Sequence, residues 1–154
     1  MGKETKQSNS LNIEVVDGGK SPIKGSEHAA CYDVYARHVT KINSFYYKVK
    51  LGIKSEIPVG KHIKLHPRSG ITDTGWALAN STGIIDSDFR GEWQARFRAF
   101  APANENEIDF PYIAGDRVAQ FEIRTNDDSE IVIVDKVSEN TDRGEGGFNS
   151  TGSK

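Results

Sequence analysis

Apolar and polar residues alternate with a period of two along most of this chain, and that period predicts strands. Leu11, Ile13 and Val15 alternate with polar partners until Asp17-Gly18-Gly19 turns the chain. Tyr47, Val49, Leu51 and Ile53 alternate with Lys48, Lys50 and Gly52 and read as one half-buried strand, closed near Pro58 and Gly60. Ile63 and Leu65 face one way, and His62, Lys64 and His66 the other, up to Pro67. Trp93, Ala95, Phe97 and Ala99 form a further inward set, followed by Ala119, Phe121 and Ile123. Residues 131–137 read as a last strand after the turn Asn126-Asp127-Asp128-Ser129. Helix is plausible only over residues 69–79: Ser69 can cap it and Ile71 through Leu78 can present an apolar side, although Gly75 limits it to a turn or two. Many short strands with turns between them predict an all-β sandwich or barrel with at most one short helix.

Length and charge narrow the field. A chain of 154 residues fits one domain with a modest core. Residues 1–10 read as a loose polar tail, 11–139 as the β-domain and 140–154 as a glycine-rich end. That end contains Gly144, Gly146, Gly147 and Gly152 with Ser150 and Thr151, too glycine-rich and polar to order itself. Twenty basic against 22 acidic residues leave a net charge of -2, which gives no general attraction to nucleic acid or to a membrane. Any anion site is therefore local. The single cysteine, Cys31, excludes an internal disulfide and a cysteine-based zinc cage. With neither an apolar leader nor a run of 18 apolar residues, a soluble cytoplasmic protein is expected.

Chemistry concentrates in a few stretches. Residues 83–91, Gly-Ile-Ile-Asp-Ser-Asp-Phe-Arg-Gly, have the composition of a tight β-hairpin, with Asp86 placed to take a proton from water. By itself this stretch reads equally as a surface hairpin with a solvated acidic tip. Arg68, Ser69 and Gly70 follow Pro67, so a guanidinium, a hydroxyl and free backbone N–H groups converge where phosphates can sit; alone they read more simply as a helix cap. Gln120 is polar in an otherwise apolar strand, and Asp33 follows an aromatic residue in a short one. His28, His38, His62 and His66 have no convincing ligand spacing.

Five segments taken in order are more specific: Ala30-Cys31-Tyr32-Asp33, Pro67-Arg68-Ser69-Gly70, residues 83–91, Gly115-Asp116-Arg117-Val118-Ala119-Gln120, and residues 143–152. Together they resemble the five motifs of the trimeric dUTPase family. The resemblance implies a dUTPase-like β-sandwich or jelly-roll barrel that forms a homotrimer. It also implies hydrolysis of dUTP to dUMP and diphosphate, which limits uracil in DNA and supplies dUMP for thymidylate synthesis. Asp86 then matches the carboxylate that activates water, and Gln120 the side chain that contacts the α-phosphate and that water. Phe89 lies against the deoxyribose, while Asn80, Gly83, Ile84, Ile85 and Gln94 line the uracil hairpin. Arg68, Ser69 and Gly70 form the phosphate clamp, and Asp33 reaches Mg²⁺ through water. Arg143, Gly147, Phe148, Asn149, Ser150 and Thr151 form a lid, with Phe148 stacking on uracil. Each site is implied to draw on three chains.

Three residues depart from the family pattern: Cys31 and Asn149 stand where glycine is usual, and Phe89 where tyrosine is usual. Phenylalanine keeps the ring, so steric discrimination against UTP should survive. Asparagine tolerates positive φ, so the lid should still close, though more weakly. Three rival readings remain at this stage: a dCTP deaminase-like enzyme of the same fold, a dUTP-binding regulatory protein with weak turnover, and a β-sandwich scaffold indifferent to nucleotide.

Overall fold

The computed structural model describes residues 10–100 and 108–145. In chain order its strands are β1 (Asn12–Val15), β2 (Ile23–Lys24), β3 (Tyr32–Tyr35), β4 (His38–Asn43), β5 (Tyr46–Lys50), β6 (Ile53–Glu56), β7 (Lys61–Pro67), β8 (Trp76–Leu78), β9 (Gly83–Ile85), β10 (Gln94–Ala99) and β11 (Arg117–Thr125). A five-stranded sheet runs β2-β3-β11-β7-β9 and a four-stranded sheet β4-β5-β10-β8, with β1-β6 as a separate pair. All the pairings are antiparallel.

The period of two becomes a core because each strand turns one face inward. Ile63 and Leu65 of β7, Ala95 and Phe97 of β10, and Val49 of β5 are buried, together with Trp76, Trp93 and Phe121. Fully burying an aliphatic or phenyl side chain is worth about 1.5–3 kcal/mol. Two of the predicted groups therefore carry much of the fold. Aromatic edges finish the packing: Trp93 meets Phe121 edge-on at 5.1 Å between centroids, and Tyr47 stacks on Phe110 at 4.3 Å. A register shift in β11 between Arg117 and Ala119 explains how consecutive Val118 and Ala119 are both buried.

Several elements differ from the sequence pattern. The predicted single strand through Tyr47 and Ile53 is two strands in different sheets, because Gly52 adopts φ +69° and redirects the chain. Residues 83–91 are not a hairpin: β9 pairs with β7, while β10 belongs to the other sheet, so residues 86–93 cross between sheets. The helix is a short 3-10 turn, Ser69–Asp73, entered from Arg68 as N-cap with no side-chain capping bond, so Ser69 is not the cap. Ile123 is 39% exposed rather than inward.

Residues 131–137 form no strand, and Ile131, Val132, Ile133, Val134 and Val137 are all exposed. Their composition favours a strand, but a strand also needs a neighbour to pair with, and these residues pair with none of the described strands. No helix among the described residues is long and apolar enough to cross a membrane.

Candidate active site

Most of the predicted site residues gather in two clefts, while Gly70 and Arg143 line neither. The first, of about 520 Å³, is lined by Leu65, Asn80, Gly83, Ile84, Ile85, Asp86, Phe89 and Gln94, with Glu92, Trp93 and Arg96. The second, of about 440 Å³, is lined by Cys31, Asp33, Arg68, Ser69 and Gln120, with Gly25, Ala29 and Ala30. No residue lines both.

The first cleft is shaped by missing side chains and by a tethered loop. A Cβ on Gly83 would lie 3.0 Å from the Asn80 carbonyl oxygen and 3.2 Å from Leu65 Cβ, so glycine serves here by close approach rather than by unusual φ. At Gly91 a Cβ would lie 2.6 Å from Cζ of Phe89, whose ring occupies that space. Asn80 also braces the wall of the cleft that it lines. Its Oδ1 accepts from Arg96 N at 2.9 Å and its Nδ2 donates to the Gln94 carbonyl at 3.2 Å. The amide thereby extends the pairing of β10 and fixes the cleft wall, with its second N–H and second oxygen lone pair still able to meet a ligand.

Main-chain and side-chain bonds hold the crossing loop. Phe89 N donates to Asp86 O at 3.2 Å, and Arg90 Nη1 donates to Ser87 O at 2.7 Å and Phe89 O at 3.1 Å. Trp93 Nε1 donates to the buried Ser55 hydroxyl at 3.1 Å. Gln94 Oε1 is buried without a hydrogen-bond partner in this cleft wall.

The second cleft is made of interlocked charges. Asp33, Gln120 and His66 stand in one row across β3, β11 and β7. Asp33 Oδ1 accepts from Arg68 Nε and its Oδ2 from Arg117 Nη1, each at 3.1 Å. Gln120 Nε2 donates to the Pro67 carbonyl at 2.8 Å, which sets the plane of its amide beside Arg68. Arg117 thus forms a structural ion pair with Asp33, and Asp116 accepts from Ile113 N at 2.8 Å. Cys31 sits at the rim, and burial, with Glu122 and Asp33 nearby, pushes its thiol pKa up, which disfavours the reactive thiolate.

Among the described residues no group of three His, Cys, Asp or Glu side chains converges to cage a metal. Both oxygens of Asp33 are already engaged by guanidinium groups. This donor set suits a hydrated ion carried by a polyphosphate and met through water, and does not suit a resident metal. Gly147, Phe148, Asn149, Ser150 and Thr151 lie outside the described residues.

Sequence reading missed the partners that hold the clefts in shape. Glu92 binds Arg37 across 55 positions of sequence, and no local pattern marks such a pair. Its place directly after Gly91 was the available signal.

Fold and clefts define a class: an antiparallel β-sandwich with one cleft of main chain and aromatic ring and another of arginine, amide and carboxylate. The family model for dUTPase matches residues 17–152, and the chain belongs to that family. It is 36% identical over 148 residues to the deoxyuridine 5'-triphosphate nucleotidohydrolase of Kluyveromyces lactis, covering 94% of this chain and 95% of that one. The Paramecium bursaria Chlorella virus 1 protein of the same name is 33% identical over 140 residues, 90% of this chain and 94% of the other. Among solved structures, the dUTPase of Staphylococcus bacteriophage 80alpha with dUpNHpp superposes with a TM-score of 0.79 at 19% identity, covering 94% of this chain and 99% of that one. A phage phi11 dUTPase variant, described with a structural Mg(II) ion, superposes at 0.69 over 84% of this chain and 99% of its own, at 20% identity.

Proposed function

We propose that this protein hydrolyses dUTP to dUMP and diphosphate by attack of water on the α-phosphorus, at sites shared between copies of the chain. The observation that carries the sharing is the separation of Asp86 from Gln120. β9 and β11 flank β7 on opposite sides, with Gln120 level with His66 and Ile85 level with Ile63. At about 4.8 Å between strands and about 3.3 Å per residue, Asp86 and Gln120 of one chain stand roughly 16 Å apart. Two groups so far apart do not serve one attacking water. A second copy must bring its Asp86 to the Gln120 cleft.

The exposed apolar residues 131–137 support the same reading, since they have the composition of a strand and lack a partner within the described chain. The proposed assembly is a homotrimer. Within each site the main chain around Gly83 and Ile85 faces the uracil edge and Phe89 stands against the deoxyribose, where it leaves no room for a 2'-hydroxyl. Arg68 and Ser69 meet phosphate oxygens, and Gln120 orients the water. Asp86 takes the proton from that water at a carboxylate oxygen as the new P–O bond forms and diphosphate leaves. Mg²⁺ carried by the triphosphate would supply charge neutralisation there, and Asp33 would hold it through water. Arg143 and the residues after it close over the nucleotide. A cytoplasmic setting fits a chain with one free cysteine.

Diphosphate release from dUTP, dCTP, dTTP and UTP in the presence of Mg²⁺, with Asp86→Asn as control, tests this function. Release from dUTP alone, lost in the control, is expected. Ammonia from dCTP or silence on every nucleotide would refute it.

A further inference from the structure

The loop between β9 and β10 is anchored by charge at its far end. Glu92 Oε1 accepts from Arg37 Nε at 2.8 Å and its Oε2 from Arg37 Nη2 at 2.9 Å, a two-point fork. The same Oε1 accepts the Gly52 amide at 3.0 Å, and Lys50 Nζ stands 3.7 Å from Oε2. The Glu92 side chain is only 13% exposed. Arg37 is itself wedged in place: a Cβ on Gly52 would lie 3.1 Å from Arg37 Cβ and 3.2 Å from its Cδ. The Arg37 stem therefore runs close beside the Gly52 main chain, whose amide also donates to Glu92.

Gly91, one residue before Glu92, leaves the space that the Phe89 ring fills. Where that ring stands depends on where the Gly91 main chain is held, and Glu92 is the adjacent fixed point. We infer that the Arg37–Glu92 clasp is a positioning device that, through Gly91, sets the stance of the Phe89 ring and so how strictly the cleft prefers 2'-deoxyribose to ribose. This rests on the proposed role of Phe89 as the wall beside the sugar. Neither Arg37 nor Glu92 need touch the nucleotide for the effect to operate.

Glu92→Gln and Arg37→Met, the second keeping much of the stem that packs on Gly52, are compared with the unaltered protein for kcat and KM on dUTP and UTP, with thermal melting alongside. The ratio of kcat/KM for dUTP to that for UTP is expected to fall about tenfold in each variant. The double variant falls no further, because both changes remove one contact. Arg37→Lys keeps the charge without the fork and should recover part of the loss. Gly91→Ala displaces the ring directly and should lower the ratio with the clasp intact.

An unchanged ratio in both single variants, whatever the melting temperature does, overturns the inference and leaves dUTP hydrolysis standing. Equal turnover of UTP and dUTP by the unaltered protein would instead overturn the role of Phe89 on which it rests. An unaltered protein silent on both nucleotides would overturn the function and the inference together.

Discussion

The Phe89 cleft is walled by main chain, by the space two glycines leave and by the aromatic side chains of Phe89 and Trp93, whereas the Gln120 cleft is walled by a carboxylate held between two arginines. The first gains its shape from what is absent at Gly83 and Gly91 and from a loop tied down at its far end. The second gains its shape from groups that also stabilise the fold. Shape for a flat base and sugar can be made by omission, while a site for phosphate needs charges that must be paired with one another until the anion arrives. Substitutions in the two clefts should therefore fail differently.

The largest effect falls on Asp86, the carboxylate proposed to activate water. Asp86→Asn should lower kcat by about 10² to 10⁴-fold, with little change in unfolding by urea, because Asp86 lies in the cleft wall and outside the buried core. In the other cleft Asp33→Ala should cost activity and also about 1–3 kcal/mol of stability, since Arg68 and Arg117 lose the partner they share. Equal stability losses for the two substitutions would erase the contrast between the clefts. Gly83→Ala sharpens it: the new methyl group meets the Asn80 carbonyl and Leu65, and overpacking of about 1–2 kcal/mol should accompany weaker nucleotide binding. Calorimetric melting with and without a non-hydrolysable dUTP analogue separates those two losses.

The smallest effect concerns pH. The Arg37 hydrogen bond above all, with the Gly52 amide and the nearby charges of Arg37 and Lys50, holds the Glu92 carboxyl below the usual glutamate range, against the opposing effect of its burial. A carboxyl lowered in the folded protein contributes stability fully above its unfolded value and loses it as pH falls through the lowered one. Melting temperature should thus decline on the acid side, below the ordinary glutamate range, and Glu92→Gln should flatten that decline. An identical acid limb in the variant would show that the clasp does not titrate with folding.

The inward sets Ile63 with Leu65 and Ala95 with Phe97 were legible from period alone, because a buried face leaves its mark at every second position. Sheet membership was not. Residues 83–91 have hairpin composition, yet β9 finds its partner in β7, and only the three-dimensional path shows that the loop crosses between sheets. Residues 131–137 show the same limit from the other side, with strand propensity but no pairing to any described strand of their own chain. In the site, Asp86, Phe89, Arg68 and Gln120 stood out by residue type and order. Asn80 was legible as a residue of the cleft but not in its work of bracing β10, and the pairing of Arg37 with Glu92 was not legible because a contact 55 positions apart has no period.

The central claim is that one chain's Asp86 serves another chain's Gln120, and mixing tests it most directly. Asp86→Asn and Gln120→Ala proteins, each nearly inactive alone, are unfolded together, refolded at equal amounts and assayed for diphosphate release from dUTP. If sites form between chains, about a quarter of them combine an intact Asp86 with an intact Gln120, and about that fraction of normal turnover should return. No recovery in mixed oligomers whose composition has been verified would contradict the account and place both residues in a site within one chain.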